Sequence, residues 1–136
     1  MDENEIRALV AGAKTVAVVG ISDKPDRPSY EVAEYLSHFY QIIPVNPALK
    51  EWCGRVCYPS LSAVPAALAI DIVDVFRRSE QTLPVAEEAA ARGVKLLWLQ
   101  QGVSNGEVRA LAANRRLPLV MDACLKVFHA RLHGGD

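Results

Sequence analysis

A three-layered α/β fold, with a doubly wound five-stranded parallel sheet at its centre, is predicted by three features of the sequence. Short apolar runs alternate with amphipathic stretches, the connections between them are brief, and the runs are apolar at consecutive positions. A strand that is apolar at every position is covered on both faces, which is the environment of a parallel strand between helical layers.

The elements follow in order. Ile6, Leu9, Val10 and Ala13 recur at helical spacing, so the chain opens with a short amphipathic helix packed at the sheet's edge. Thr15-Val16-Ala17-Val18-Val19 is the first strand, running into a tight turn at Gly20. Pro28 suits the first position of a helix, and Val32, Tyr35, Leu36 and Phe39 form its inward stripe. Gln41 to Val45 is the second strand. Residues 46 to 69, with Pro47, Gly54, Pro59 and Pro65, are expected to hold at most short helical turns. Ile70 to Phe76 is the third strand, and Pro84 opens a helix through Arg92 that Gly93 ends. Val94 to Leu99 is the fourth strand. Ser104-Asn105-Gly106-Glu107 reads as a capping box, with the Ser104 side chain as cap, for a helix that turns Val108, Leu111 and Ala112 inward. Leu117 to Met121 is the fifth strand, and Ala123 to Leu132 a last helix with Leu125, Phe128 and Leu132 on one side. The tail Gly134-Gly135-Asp136 is expected to fray. Counted along the chain, the strands are expected in the order 3-2-1-4-5, a Rossmann-like arrangement with residues 1–136 as one domain.

Composition narrows the function classes. A chain of 136 residues buries about two thirds of the surface its unfolded form exposes, enough for one real core. Hydrophobic residues at 51% and charged ones at 23% exclude a disordered or fibrous chain. The net charge of -1 argues against a nucleic-acid partner, which needs a surplus of Lys and Arg. An acidic start, Met1-Asp2-Glu3-Asn4-Glu5, is unlike a signal peptide, and no apolar run has the length of a membrane span, so a cytoplasmic protein without a membrane partner is expected. Cys53, Cys57 and Cys124 lack a zinc or redox spacing and read as buried or incidental thiols. His129 and His133 stand four residues apart, but no third ligand is in view; they read as a solvated helix end, and no metal is expected.

In an open parallel sheet the ligand lies beyond the carboxyl ends of the strands, where the strand order reverses. The loop after the first strand, Gly20-Ile21-Ser22-Asp23-Lys24-Pro25, lacks the second and third glycines of the dinucleotide fingerprint. It carries Lys24 and Arg27 instead and leads into a helix start at Pro28-Ser29, a set suited to several phosphate charges. The second strand ends in Asn46-Pro47, where an NAD reader would place an acid for the ribose hydroxyls. Phe76-Arg77-Arg78 follows the third strand, an aromatic ring beside two guanidinium groups that can flank a base or pair with phosphate. Gln100-Gln101-Gly102-Val103 follows the fourth, and Asp122-Ala123-Cys124-Leu125-Lys126 the fifth. Cys124 has no paired histidine nearby in sequence, Asp74 faces a buried side where it needs a partner, and no carboxylate pair has an acid/base geometry.

Taken as an ordered set, Val18-Val19-Gly20-Ile21-Ser22, Arg27-Pro28-Ser29, Pro44-Val45-Asn46-Pro47, Val75-Phe76-Arg77, Trp98-Leu99-Gln100-Gln101-Gly102 and Met121-Asp122-Ala123-Cys124-Leu125-Lys126 resemble the small stand-alone CoA-binding proteins. These are similar to the N-terminal CoA-binding domain of the succinyl-CoA synthetase alpha subunit, and the resemblance runs from about Lys14 to Phe128. It implies coenzyme A as ligand, with Gly20, Ile21, Ser22, Lys24, Arg27, Pro28 and Ser29 around its phosphates. It places Asn46 and Pro47 at the nucleotide, Phe76 and Arg77 flanking it, and Gln101 and Gly102 along the pantetheine arm. The chain lacks the synthetase's second domain with its phosphorylated histidine, so ligase activity is not expected. The resulting expectation is a non-catalytic CoA or acyl-CoA binding protein. An NAD(P)-binding redox protein or sensor on the same fold is the alternative, and an interaction subunit with a vestigial crevice a third. Val127 and Phe128 on the last helix would serve a homodimer; a monomer is equally compatible.

Overall fold

The computed structural model describes residues 2–134; Gly135 and Asp136 of the expected frayed tail lie outside the described residues. The chain runs α1 (Glu3–Gly12), β1 (Thr15–Val19), α2 (Pro28–Leu36), β2 (Gln41–Val45), β3 (Glu51–Trp52), β4 (Arg55–Val56), β5 (Ile72–Val75), α3 (Thr82–Arg92), β6 (Leu96–Leu99), α4 (Gly106–Arg115), β7 (Leu119–Val120) and α5 (Leu125–Leu132). Local chemistry sets several boundaries. Pro28 occupies the first turn of α2 with Arg27 extended before it. Gly93 ends α3 in the left-handed conformation at φ +74 and returns its N–H to the Ala89 and Ala90 carbonyls.

The expected α/β architecture is present, with β2-β1-β5-β6-β7 forming one parallel sheet. Side chains alternate strictly across it. Val16, Val18, Ile42, Ile72, Leu96 and Trp98 meet Ile6 and Val10 of α1, Val32 and Leu36 of α2 and Leu125 of α5. Ala17, Val19, Ile43, Val45, Val73, Val75, Leu97 and Leu99 meet Leu61, Val64, Val85, Ala89 and Val108 on the other face. Each fully buried Leu, Ile or Val contributes about 1.5–3 kcal/mol relative to an exposed one, so the two faces account for most of the driving force.

The order of strands differs from the expected 3-2-1-4-5. With the five sheet strands counted along the chain it is 2-1-3-4-5, because the third, β5, lies against β1 and not outside β2. Pro44 explains this. It pairs with Val18 across β1, and its carbonyl, pointing the other way, accepts from the Tyr58 N–H at 3.0 Å. A proline has no N–H to offer to a further strand on that side, so β2 is fixed as an edge.

Residues 46 to 69 also depart from expectation. They contain a two-by-two antiparallel hairpin, β3 with β4, turned by Cys53 at φ +47 and Gly54 at φ +80. Two positive φ values match the tight hairpin turn whose twist suits paired strands. The rest of the segment is stapled by Arg92, whose guanidinium donates to the carbonyls of Leu61, Val64, Pro65 and Leu68 at 2.6 to 3.1 Å. Three smaller expectations are corrected. Asn105, not Ser104, caps α4, accepting from the Glu107 and Val108 N–H groups, while the Ser104 N–H donates to Ser79 Oγ. Phe39 lies past the end of α2 and is 53% exposed. His129 is 1% exposed, not solvated: its Nδ1 pairs with the Tyr35 hydroxyl at 2.8 Å, and burial, with His133 beside it, holds its pKa below the usual imidazole range.

Two aspartates on the third strand's path have opposite fates. Burial pushes Asp71 up, but the N–H groups of Lys14 and Thr15 and the ammonium of Lys95 outweigh it and hold its pKa below the usual carboxylate value. Asp74, fully buried between Val18 and Trp98 in the ladder, has no partner for either oxygen among the described residues, and burial raises its pKa well above the usual value. A raised acid pKa means the folded state holds the proton more tightly, so this contribution is complete below the unfolded value of about 4 and is lost as pH rises through the folded one. We therefore expect Asp74→Asn to melt higher than the wild type at pH 8, with the gap closing toward pH 4; melting curves across that range check it.

Candidate functional site

The carboxyl ends of β2, β1, β5 and β6 are tied by hydrogen bonds that continue past the strands. Gly20 N–H donates to Val45 O at 2.8 Å, Phe76 N–H to Val19 O at 2.8 Å, and Gln100 N–H to Val75 O at 3.2 Å. With β5 beside β1, strand order reverses between them, so the loops after these two strands flank the switch point. They approach closely. Gly20 has φ +85, and a Cβ built on it would stand 2.1 Å from the Phe76 carbonyl oxygen and 3.4 Å from Arg77 Nε. Only glycine fits there.

The first loop is held by contacts from distant parts of the chain. Ser22 N–H donates to Ser29 Oγ at 2.9 Å, tying the loop to the first turn of α2. Asn46 Nδ2 donates to Ile21 O at 2.7 Å, while its Oδ1 accepts from Ala48 N–H at 2.8 Å. Trp52 of the hairpin donates through Nε1 to Ser22 O at 2.9 Å. These bonds occupy the neutral polar groups and leave Lys24 and Arg27 exposed above the helix start.

Two connected hollows open here. A shallow one of about 320 Å³ is lined by Gly20, Ser22, Lys24, Arg27, Pro28, Ser29 and Phe76. Pro28 and Phe76 also border a larger crevice of about 860 Å³ lined by Arg77, Arg78, Gln100, Gln101, Val103, Cys124, Lys126 and Val127, with Asp26, Glu31 and Val32 on its α2 side. Arg77 Nε is buried and has no hydrogen-bond partner among the described residues. Gln100 is buried, and its Oε1 accepts from Leu125 N–H at 3.0 Å, satisfying a free donor at the start of α5. Gly102, at φ +84, donates its N–H to Asp122 Oδ1 at 2.7 Å and sets the path of the fourth loop. Among the described residues no group of three or more His, Cys, Asp or Glu is placed to hold a metal, and no helix is long and apolar enough to cross a membrane.

A family model described as a CoA binding domain matches residues 14–130. The chain belongs to the CoA-binding domain family. This CoA-binding domain is 42% identical over 127 residues to the uncharacterized protein YneT of Bacillus subtilis (strain 168), with 93% of each chain covered. Among solved structures it is similar to a hypothetical protein from Pyrococcus horikoshii OT3, at 36% identity and a TM-score of 0.91, covering 98% of this chain and 94% of that one. It is also similar to the cell-free ID.343 protein from Thermus thermophilus, at 36% identity and a TM-score of 0.89, covering 97% and 99%.

Of the residues singled out in the sequence, the CoA-binding domain brings Gly20, Ser22, Lys24, Arg27, Pro28, Ser29, Phe76, Arg77 and Gln101 to the walls of the two hollows. Ile21, Asn46, Pro47 and Gly102 are not on those walls. Ile21 is a core side chain, and both polar ends of Asn46 bind protein, so these residues shape the loops. Gln100, Cys124 and Lys126 follow strands, a placement that marks them in the sequence. Glu31 and Val32 lie within α2 one turn beyond Pro28, and only the helix's course along the crevice brings them in. The close approach at Gly20 yields a stability test. Gly20→Ala combines overpacking with a left-handed residue, together about 3 kcal/mol. A fall in denaturant midpoint of that size is expected, and a midpoint equal to the wild type's refutes the approach.

Proposed function

We propose that the protein binds coenzyme A or an acyl-CoA in this crevice and does not transform it. The observation that carries the reading is the family match over residues 14–130, which spans the whole sheet and every loop at its carboxyl edge. The local chemistry is compatible. Lys24, Arg27 and the unpartnered Nε–H of Arg77 supply positive charge around the shallow hollow, next to the amino end of α2, where anions are favoured. The larger crevice mixes apolar walls, Val32, Phe76 and Val103, with the amides of Gln100 and Gln101, as suits a long arm of alternating methylene and amide groups. In this assignment Gly20, Ser22, Lys24, Arg27 and Ser29 surround the phosphates, Phe76 and Arg77 flank the nucleotide, and Gln101 lies along the arm.

A ligand at about 100 times its Kd adds about 2.7 kcal/mol to stability, enough to raise Tm by several degrees in a chain of this size. Melting with CoA, NAD, NADP and ATP side by side is expected to show the largest rise for CoA. A rise with NAD or NADP and none with millimolar CoA refutes the reading in favour of a nicotinamide cofactor. Arg27 is exposed and makes no side-chain cap to α2, so Arg27→Ala is expected to leave Tm without ligand unchanged while weakening CoA binding about tenfold, measured by calorimetry. Equal affinity removes the loop from the site.

A further inference from the structure

The larger crevice contains a thiol. Of the three cysteines Cys124 alone lines it; Cys53 is exposed on the hairpin turn and donates to the Tyr30 hydroxyl at 3.6 Å, and Cys57 is buried and donates to Asn46 O at 3.6 Å. Cys124 is half-buried at the cap position of α5, yet its side chain makes no capping bond there. Gln100 caps the helix in its place. The Leu125 N–H can only donate, so the Gln100 atom that faces it at 3.0 Å is the amide oxygen, and the NH2 group is turned away from the helix. Gln100 is 5% exposed and lines the same crevice, and its NH2 group has no partner among the described residues. Arg77, whose Nε is buried without a partner, lines it too. Desolvated donors left without acceptors are costly unless a ligand supplies the acceptor, so a ligand belongs beside Cys124.

Coenzyme A itself ends in a thiol. Resting on the CoA reading, we propose that Cys124 forms a mixed disulfide with coenzyme A by exchange with CoA disulfide, so that an oxidised pool of the coenzyme leaves one CoA held covalently on each chain. The pantetheine arm is long and jointed, so its sulfur and Cys124 need only share one cavity, whichever way the arm runs along it. The exchange is balanced. Cys124 gives up its proton, and the thiolate attacks one sulfur of CoA disulfide. That S–S bond breaks, a bond from Cys124 Sγ to the retained CoA sulfur forms, and the second CoA leaves as a thiolate that takes up a proton. Cys124 is oxidised and one CoA is reduced, with no further oxidant. A small thiol reverses the exchange by the same step, so the adduct is a reversible modification and CoA is not turned over.

The test incubates the full chain with CoA disulfide or with glutathione disulfide at equal concentration and follows both by intact mass and peptide mapping. One CoA per chain is expected, on Cys124, formed about tenfold faster than the glutathione adduct because binding raises the local concentration of the reacting disulfide. Desulfo-CoA, which occupies the crevice without a thiol, is expected to slow the reaction, and dithiothreitol to remove the adduct. Cys53 is the internal control, since exposure alone would label it first. Cys124→Ser is expected to lose the adduct and Cys53→Ser to keep it. Labelling of Cys53 in preference to Cys124, equal rates with the two disulfides, or indifference to desulfo-CoA overturns the proposal. Calorimetry of the wild type with CoA under reducing conditions separates the two levels. CoA binding without a selective Cys124 adduct sinks the inference and leaves the CoA reading standing, whereas no CoA binding and no selective adduct sinks both.

Discussion

Everything at the carboxyl edge of the sheet depends on how closely two backbones pass. Gly20 leaves β1 with its Cα against the Phe76 carbonyl that leaves β5, at a separation no side chain tolerates. From that contact the rest is determined. Gly20 is anchored to β2 through Val45 O, and Phe76 to β1 through Val19 O, so three strand ends are locked in one row. Ile21 turns back into the core, the exposed stretch from Asp23 to Pro28 follows, and Phe76 and Arg77 border the hollows beside it. A fingerprint with three glycines achieves close approach to a pyrophosphate with bare backbone. Here one glycine serves strand packing, and under the proposed reading Lys24 and Arg27 supply the positive charge at the hollow.

The loop's rigidity has a distributed origin. Its neutral polar groups are satisfied by Ser29 from α2, Asn46 from the end of β2 and Trp52 from the hairpin. Each bond fixes the loop to a different element, so displacing it means breaking contacts with several parts of the molecule at once. In the proposed reading a loop ordered before the ligand arrives costs less entropy on binding, and the hairpin of four paired residues contributes one of the bonds that hold it. Trp52 is buried, its ring tilted against Tyr30 at 5.4 Å, and its indole N–H reaches Ser22. The hairpin's work is to deliver that indole.

Much of this was legible in the sequence because it rests on periodicity and on the position of residues after strands. The five strands, five helices and the loops bordering the crevice all follow from apolar runs and from Pro28 and Gly93. The strand order was also written there, in Pro44, whose missing N–H keeps a full strand from pairing along the outer side of β2, where a single bridge from Val45 to Tyr58 forms. The hairpin was hidden because two-residue strands carry no detectable alternation. His129 was hidden because its neighbours in space, Tyr35, Phe39 and Tyr40, come from the far side of a helix pair. Asn105 and Ser104 are adjacent candidate caps, and the choice fell to Ser79, which the fold brings to Ser104 N–H and whose carbonyl accepts from Asn105.

The division of the crevice bears on which nucleotide it suits. A dinucleotide places a second base and ribose beyond its diphosphate, rigid rings that need a broad slot and a ribose acceptor. The second strand here ends in Asn46, whose amide donates to Ile21 O and accepts from Ala48 N–H, so its neutral side chain is engaged with the protein and offers no carboxylate to a ribose. Beyond the phosphate-suited loop lies a passage walled by Val32, Phe76 and Val103 and edged by glutamine amides. A ligand ending at its diphosphate leaves those apolar walls wet, at a cost of about 25 cal/mol for each Å² left exposed. A thin chain of methylenes and amides covers them and meets the glutamines. Under the proposed reading, the apolar walls and glutamine amides of the larger crevice are therefore what favours a ligand carrying such a chain.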